Sequence, residues 1–408
     1  MIDVVLVGIE GYASSHFEAF LKRAKQGKVR IVGVVNPYSP KKETLNKLQE
    51  FNIPHFKTLE SFYQNGRADL VNIASPIQFH CEQTCLALSN GSHVLCEKPL
   101  AATTVEVMEM MNYRDKTNLK VGIGYQWIYS SAFQQLKMDF VNGKFGKPKR
   151  LKSIVLWPRP EKYFHRSWAG KIKDDTGRWV LDSVTANATA HFLQNMFYII
   201  GKSMNESQLP LKLVAESYRA NHIENYDTSA IRTITDEGVE ILFLASHAIQ
   251  KNEVFGPEFE YEFENAVVKF TSVAGEDQNL IKAYYSDGTV DNYGSPFADD
   301  FLKIDHMLAA INVKNKTVDC SIEVASSHTL CISGIQQSVP SPVNFPKEKV
   351  HFDSIEQIVW VDQLSDVLKH SYKKWKMPHE LKVNWAISGE VVSLERNELY
   401  RILKNEST

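Results

Sequence analysis

Over the first 125 residues, short apolar runs alternate with segments whose apolar residues recur at helical spacing. The run 4–7 (Val-Val-Leu-Val) is a buried-strand pattern, and the stretch 8–13 that follows is a turn. Beyond it Phe17, Phe20 and Leu21 share one helix face. A second β-branched run, 31–35, ends at Asn36 and Pro37, and Pro40 opens a helix with proline in its first turn. Runs 70–74, 93–96 and 119–123 continue the series. Strict alternation of strand and helix predicts α/β architecture with a parallel sheet covered on both faces.

After residue 125 the pattern changes. Helical segments at 130–141 and 183–200 lead into long alternating runs at 239–245, 259–263 and 267–270. These predict a C-terminal α+β domain built on a large, mostly antiparallel open sheet. Helical spacing returns over 354–375. The predicted boundaries are 1–125, 126–345 and a helical extension at 346–408.

Composition narrows the function. Of 408 residues 43% are hydrophobic and 23% charged, with a formal net charge of −2. That leaves no basic excess for nucleic acid. Nor is there an apolar run of about 18 residues for a membrane span, and the N-terminus lacks the basic flank of a signal peptide. The five cysteines are odd in number and form no Cys-x-x-Cys pair, although Cys81 and Cys85 can share a helix face. Reduced thiols in a cytoplasmic protein without structural metal are expected.

Gly8, Glu10, Gly11, Tyr12 and Ala13 occupy the strand-to-helix turn where backbone N–H groups and a helix N-terminus would meet a dinucleotide pyrophosphate. The second glycine of the usual pattern is Glu10 here, a carboxylate that must point away from phosphates. Asn36 stands where an acid usually binds the adenosine ribose. With Lys41 and Lys42 close behind, both NAD and NADP remain open, and weak discrimination between them is expected.

Ser75, Pro76 and His80, followed by the stretch 93–101 with its Glu97-Lys98-Pro99, resemble the glucose-fructose oxidoreductase / inositol dehydrogenase / rhizopine-catabolism (Gfo/Idh/MocA) family over roughly residues 1–345. The resemblance implies a Rossmann domain over 1–125 and a substrate and oligomerisation domain over 126–345. It implies that Lys98 contacts the reacting oxygen, where an ammonium stabilises developing alkoxide charge. Ser75, Pro76, His80, Glu97 and Gln126 would line the cofactor crevice. It also implies a substrate-facing helix carrying an acid, a histidine four residues later and a terminal glycine. In this chain those positions are Asn187, His191 and Gly201, so a neutral amide replaces the acid.

His191 is the candidate general base. Asn187, His191, Gln194, Asn195 and Tyr198 form a polar stripe free of charged residues, which suits a ligand cleft better than solvent. Asp182 is an alternative acid or a helix-start residue. Trp127, Arg159, Tyr163, Arg166 and Trp168 offer aromatic faces and guanidinium forks for a carbohydrate substrate. The expected activity is oxidation of a sugar, polyol or cyclitol hydroxyl with NAD or NADP. The alternatives are cofactor-assisted elimination or deglycosylation, and a non-catalytic ligand sensor. The one-sided strands in 239–270, with the family's habit, lead us to expect a homo-oligomer, dimer or tetramer, formed through that sheet.

Overall fold

A computed structural model describes residues 1–298 and 301–405. They form two units: Met1–Tyr129 together with a returning segment that closes at Ala325, and the remainder of the chain.

In the first unit, strands β1 (Ile2–Val7), β2 (Val29–Val35), β3 (His55–Phe56), β4 (Leu70–Ile73), β5 (His93–Cys96) and β6 (Val121–Ile123) pair in parallel, in the order β3-β2-β1-β4-β5-β6. Helices α1 (Ala13–Lys25), α2 (Lys42–Glu50), α3 (Leu59–Tyr63), α4 (His80–Ser89) and α5 (Thr104–Thr117) connect them. On α1, Phe17, Phe20 and Leu21 are buried, as their spacing predicts, and Lys22, Arg23 and Lys25 complement the dipole in its last turn. A reciprocal capping box between Thr103 and Glu106 starts α5. The strand order reverses between β1 and β4, which opens a crevice at the carboxyl ends of the strands.

The predicted boundary at 125 needs two corrections. This unit runs to Tyr129, and the helix Leu302–Asn312 returns to it. Ile304, Met307 and Leu308 of that helix join the core of Phe17, Phe20 and Leu95. An apolar stripe does not say which sheet it will cover, so the return leaves no mark in the pattern.

The second unit contains α6 (Ser131–Val141), β7 (Pro148–Leu156), the single turn α7 (Glu161–Phe164) and α8 (Ala190–Ile199). Strands β8 (Pro210–Arg219), β9 (Thr228–Thr235), β10 (Glu240–Ser246), β11 (Phe255–Phe263), β12 (Ala266–Thr271), β13 (Ile281–Tyr285) and β14 (Val290–Gly294) follow. They pair in the order β14-β13-β12-β11-β7-β10-β9-β8, antiparallel except between β7 and β10. On β11, Phe259, Tyr261 and Phe263 face inward, and Phe133 and Phe140 of α6 pack on that face.

The described part of the predicted 346–408 extension, residues 346–405, is part of this unit rather than a separate helical extension. The first part of the predicted 354–375 helix is instead a hairpin, in which Val350–Asp353 pairs with Ile358–Val361. Asp353 closes its turn by accepting the N–H groups of Ile355 and Glu356. A regular helix follows over Leu364–Lys374.

This C-terminal segment covers the second face of the sheet. Leu364, Leu368, Met377 and Trp385 pack with Ile154, Leu156, Tyr218, Leu242 and Leu244. Arg232 pairs with Glu380, and Arg150 and Lys152 lie over the Trp375 ring. Beyond this cover, Glu260 and Glu262 pair with Lys152, Lys269 and Arg150, a charged lattice that water tolerates. The bare apolar face that motivated an oligomer through this sheet is therefore occupied by the chain itself. Among the described residues no helix is long and apolar enough to cross a membrane.

Leu368 is fully buried in this cover, whereas Ile355 at the hairpin tip is 89% exposed. Leu368→Ala should lower unfolding free energy by ~2–5 kcal/mol, and Ile355→Ala should stay within ~0.5 kcal/mol. Urea unfolding that finds the two variants equal would contradict a docked C-terminal segment.

Candidate active site

Gly8 ends β1 with φ +88°, and a Cβ there would lie 2.8 Å from the Ala74 carbonyl oxygen and 3.3 Å from the Ala13 Cβ. Glycine thus lets the ends of β1 and β4 and the start of α1 come together. Gly11 has φ +62° and open space where its Cβ would stand. No side chain caps the first turn of α1 and no acid lies in it. Glu10 turns away from that helix. Its Oε1 accepts from Lys41 N at 3.0 Å and Thr44 Oγ1 at 3.1 Å, on the first turn of α2. A glycine-shaped turn, a helix start with neither a side-chain cap nor an acid in its first turn, and a Glu10 directed elsewhere fit a dinucleotide pyrophosphate. Asn36, at the end of β2, donates its amide to the Tyr38 carbonyl at 2.8 Å, and Tyr12 is exposed.

Ser75 and Pro76 follow β4. The Ser75 hydroxyl donates to Gln83 at 2.6 Å. The His80 ring is buried between two carbonyls, with Nδ1 2.8 Å from Pro99 O and Nε2 3.0 Å from Ser75 O. It braces the loop that follows β5 against the loop that follows β4, and burial lowers its pKa.

Glu97 begins the loop after β5 and is buried. Its Oε1 accepts from the Lys303 ammonium and lies 3.0 Å from His16 Nε2, while His16 Nδ1 lies 3.1 Å from the Asn72 amide oxygen. Burial would raise the Glu97 pKa, but Lys303 and then His16 hold it well below the usual carboxylate range. Gly124 makes room, since a Cβ there would stand 2.5 Å from Glu97 Oε1. Glu97 thus anchors the loop from inside the unit, and Lys98 is the next residue. His16 and Lys303 were not among the predicted site residues. The signal was a lone lysine four residues before buried Met307 on an apolar helix face. Gln126 lies half-buried on the turn Gln126–Tyr129, and Trp127 on that turn is buried.

In the second unit the predicted helix 183–200 divides in two. Val184–Ala188 is a π turn capped by Ser183, whose hydroxyl accepts Ala186 N at 3.0 Å, and α8 follows. Asp182 is therefore not the cap. It is buried, accepts Gly170 N at 2.6 Å through one oxygen and the Asn187 side-chain amide at 2.9 Å through the other. The polar stripe divides as well. Asn187 and His191 are half-buried, whereas Gln194, Asn195 and Tyr198 are buried. Gln194 bonds Ser207 and the His328 backbone, and Tyr198 accepts from Gln134. Burial within the unit, rather than a ligand, explains why those positions carry no charge. At the end of α8 the buried Lys137 ammonium donates to Tyr198 O and Gly201 O, both at 2.5 Å, and desolvation pushes its pKa down to about 7.

The aromatic and cationic segment lies close by in the same unit. Trp157 meets Phe192, the residue after His191, edge to face at 5.6 Å between centroids. The guanidinium groups of Arg159 and Arg166 stand 5.1 and 4.8 Å from the Tyr163 ring centroid, and Arg166 is 5.5 Å from Trp168. Burial raises the Tyr163 pKa and the Asp182 charge adds to it, so the phenol stays a donor at neutral pH. His247 ties the segment down, its Nδ1–H donating to Trp157 O at 2.7 Å. Trp157, Arg159, Lys162, His165 and Gln357 line a cavity of about 840 Å³. Asn187 and His191 do not line it. The described cysteines are all free and buried, and Cys81, Cys85 and Glu109 offer ligand atoms within 4.8 Å of one another. A hydrogen bond to Cys85 and burial keep the Cys81 thiol protonated.

Residues 2–125 match the family described as an oxidoreductase family with an NAD-binding Rossmann fold, GFO_IDH_MocA. Over these residues the chain is similar to that family's dinucleotide-binding domain. D-glucoside 3-dehydrogenase of Escherichia coli (strain K12) is 35% identical over 81 residues, 20% of this chain and 23% of that protein. Glucose-6-phosphate 3-dehydrogenase of Bacillus subtilis (strain 168) is 27% identical over 261 residues, 62% of this chain and 66% of that protein. The chain thus spans only about a quarter of the length of the first of these relatives. The WlbA dehydrogenase of Bordetella pertussis, solved in complex with NADH and UDP-GlcNAcA, shares the fold with a TM-score of 0.66 at 18% identity, over 84% of this chain and 98% of that one.

Two outcomes follow for stability. Lys303→Met leaves the Glu97 charge buried without its cation and should cost ~3–5 kcal/mol, much of it regained in the Lys303→Met/Glu97→Gln double variant. Urea titrations of the four proteins check this, and additive losses would contradict a coupled pair. Burial also holds His16, His80 and His247 below the ordinary imidazole value, His247 at about 3. The unfolded chain takes up these protons near pH ~6.5 and the folded chain does not. Stability should therefore be complete above that pH and fall as pH drops below it, for His247 down to about 3. A urea midpoint equal at pH 7.5 and 5.0 would contradict this.

Proposed function

We propose that the protein is a dehydrogenase of sugar, polyol or cyclitol hydroxyl groups, with a bound nicotinamide dinucleotide serving as the hydride acceptor. The observation that carries this reading is the loop of Lys98. It leaves the carboxyl end of β5 on the crevice side of the sheet, and its flanks are fixed by the Glu97 ion cluster and by His80 on Pro99 O. A positioned ammonium there suits a substrate oxygen that gains negative charge as the carbon is oxidised. His191 serves as the base that takes the hydroxyl proton. Asn187 gives a side-chain N–H to Asp182, which fixes the amide one helical turn before His191. Tyr163, Trp168, Arg159 and Arg166 hold the carbohydrate by ring faces and guanidinium forks.

The names of the relatives support the substrate class, since two are dehydrogenases of a glucoside and of glucose 6-phosphate. The buried free thiols suit a reducing cytoplasm. The homo-oligomer of this reading uses a surface other than the sheet face covered by the C-terminal segment.

The test is a cofactor-reduction screen of the whole protein against polyols, aldoses, uronic acids and sugar phosphates, followed by variants on the best substrate. Lys98→Ala should lower kcat by roughly 10²–10³-fold while sparing dinucleotide affinity. His191→Ala should lower kcat by roughly 10²–10⁴-fold and remove the acid limb of the pH–rate profile. If both variants keep turnover within twofold of the parent, the catalytic assignment is wrong; a parent that binds these compounds but reduces no cofactor with any of them would make a ligand sensor the better reading.

A further inference from the structure

The end of β2 is where a Rossmann domain usually distinguishes its two dinucleotides. An acid there binds the ribose 2′-hydroxyl of NAD, and a nearby cation accommodates the 2′-phosphate of NADP. In this chain the position is Asn36, whose amide N–H is already given to the Tyr38 carbonyl. The two lysines that follow would favour the phosphate if they were available to it.

Lys41 is engaged. Its backbone N–H donates to Glu10 Oε1 at 3.0 Å, and its ammonium lies 3.7 Å from Glu10 Oε2. Thr44 adds a hydroxyl to the same oxygen at 3.1 Å. Lys41 is the N-cap residue of α2 and supplies no side-chain cap of its own; the Glu10 carboxylate instead takes the N–H of this residue and the Thr44 hydroxyl, placing a negative charge at the start of the helix. Glu10 reaches this place from the second-glycine position of the dinucleotide turn. An acid absent from the end of β2 is thereby replaced by one that arrives from the end of β1.

We propose that Glu10 is the specificity residue of the dinucleotide site and makes the protein select NAD(H) over NADP(H). It does so in two ways. Its negative charge repels a 2′-phosphate, and it already occupies the Lys41 backbone N–H and the Thr44 hydroxyl at the start of α2, donors that would otherwise attract one. This replaces the weak discrimination that Asn36, Lys41 and Lys42 suggest when read as isolated residues. The inference rests on the dinucleotide site proposed above.

Binding is the readout, by calorimetric or fluorescence titration of the full-length protein with NADH and with NADPH. The parent should bind NADH at least about tenfold more tightly, the scale of like-charge repulsion near a solvated surface. Glu10→Gln keeps an oxygen acceptor for Lys41 N and Thr44 but loses the charge. It should tighten NADPH binding about tenfold and leave NADH within about threefold. Glu10→Ser, which also removes the acceptor at the start of α2, should change the preference in the same direction. A parent that binds both dinucleotides equally overturns the proposal. So do charge-removing variants that keep NADH affinity and an undiminished preference. A parent that binds neither overturns the proposal together with the dinucleotide reading beneath it.

Discussion

The first unit is organised around one buried ion pair, Glu97 with Lys303. A carboxylate and an ammonium removed from water cost several kcal/mol each unless they meet each other and further hydrogen bonds. The structure meets that demand by bringing together residues far apart in sequence. Glu97 comes from the end of β5, His16 from α1, Asn72 from β4 and Lys303 from the returning helix, 206 positions after Glu97. Gly124, following β6, supplies the space. The pair is therefore more than a local contact, since it specifies which helix closes the sheet. It also restrains the residue before Lys98, so the proposed chemistry inherits its geometry from a charge requirement in the core.

In the second unit a hydrogen bond carries out a comparable substitution. Where the family resemblance leads one to expect an acid, the chain has Asn187, and the carboxylate lies five positions earlier in Asp182, bound to that amide. A second carboxylate at 187 would stand against Asp182, and two acids at that separation cannot both ionise readily. Asparagine is thus the residue compatible with a buried Asp182, which is itself needed to hold Gly170 N.

Much of this was legible in the sequence. The alternation of strands and helices, the burial of Phe17, Phe20 and Leu21, and the antiparallel second sheet all follow from local periodicity, which depends on near neighbours. The position of Glu97-Lys98-Pro99 in the loop after β5 was legible because the motif is contiguous. Lys303 and His16 were not, because their partner lies far along the chain. The later part of the neutral stripe, Gln194, Asn195 and Tyr198, is buried within the unit instead of facing a cleft, for a related reason. Lack of charge marks burial, and burial against Ser207 and His328 leaves the same mark as burial against a ligand. The segment 354–375 has apolar residues that suit a helix, but Ile358–Val361 finds a partner strand in Val350–Asp353, and pairing overrides spacing. The need to cover the outer sheet face was read correctly, and the source of the cover was not.

The direct test of the proposed chemistry is the oxidation state of the product. A carbon-13 spectrum of a uniformly labelled sugar substrate after turnover should show one hydroxyl-bearing carbon converted to a carbonyl, with every other carbon and the skeleton unchanged. A product that has instead lost water or its aglycone, with no net reduction of the dinucleotide, would contradict dehydrogenation and assign the site to elimination.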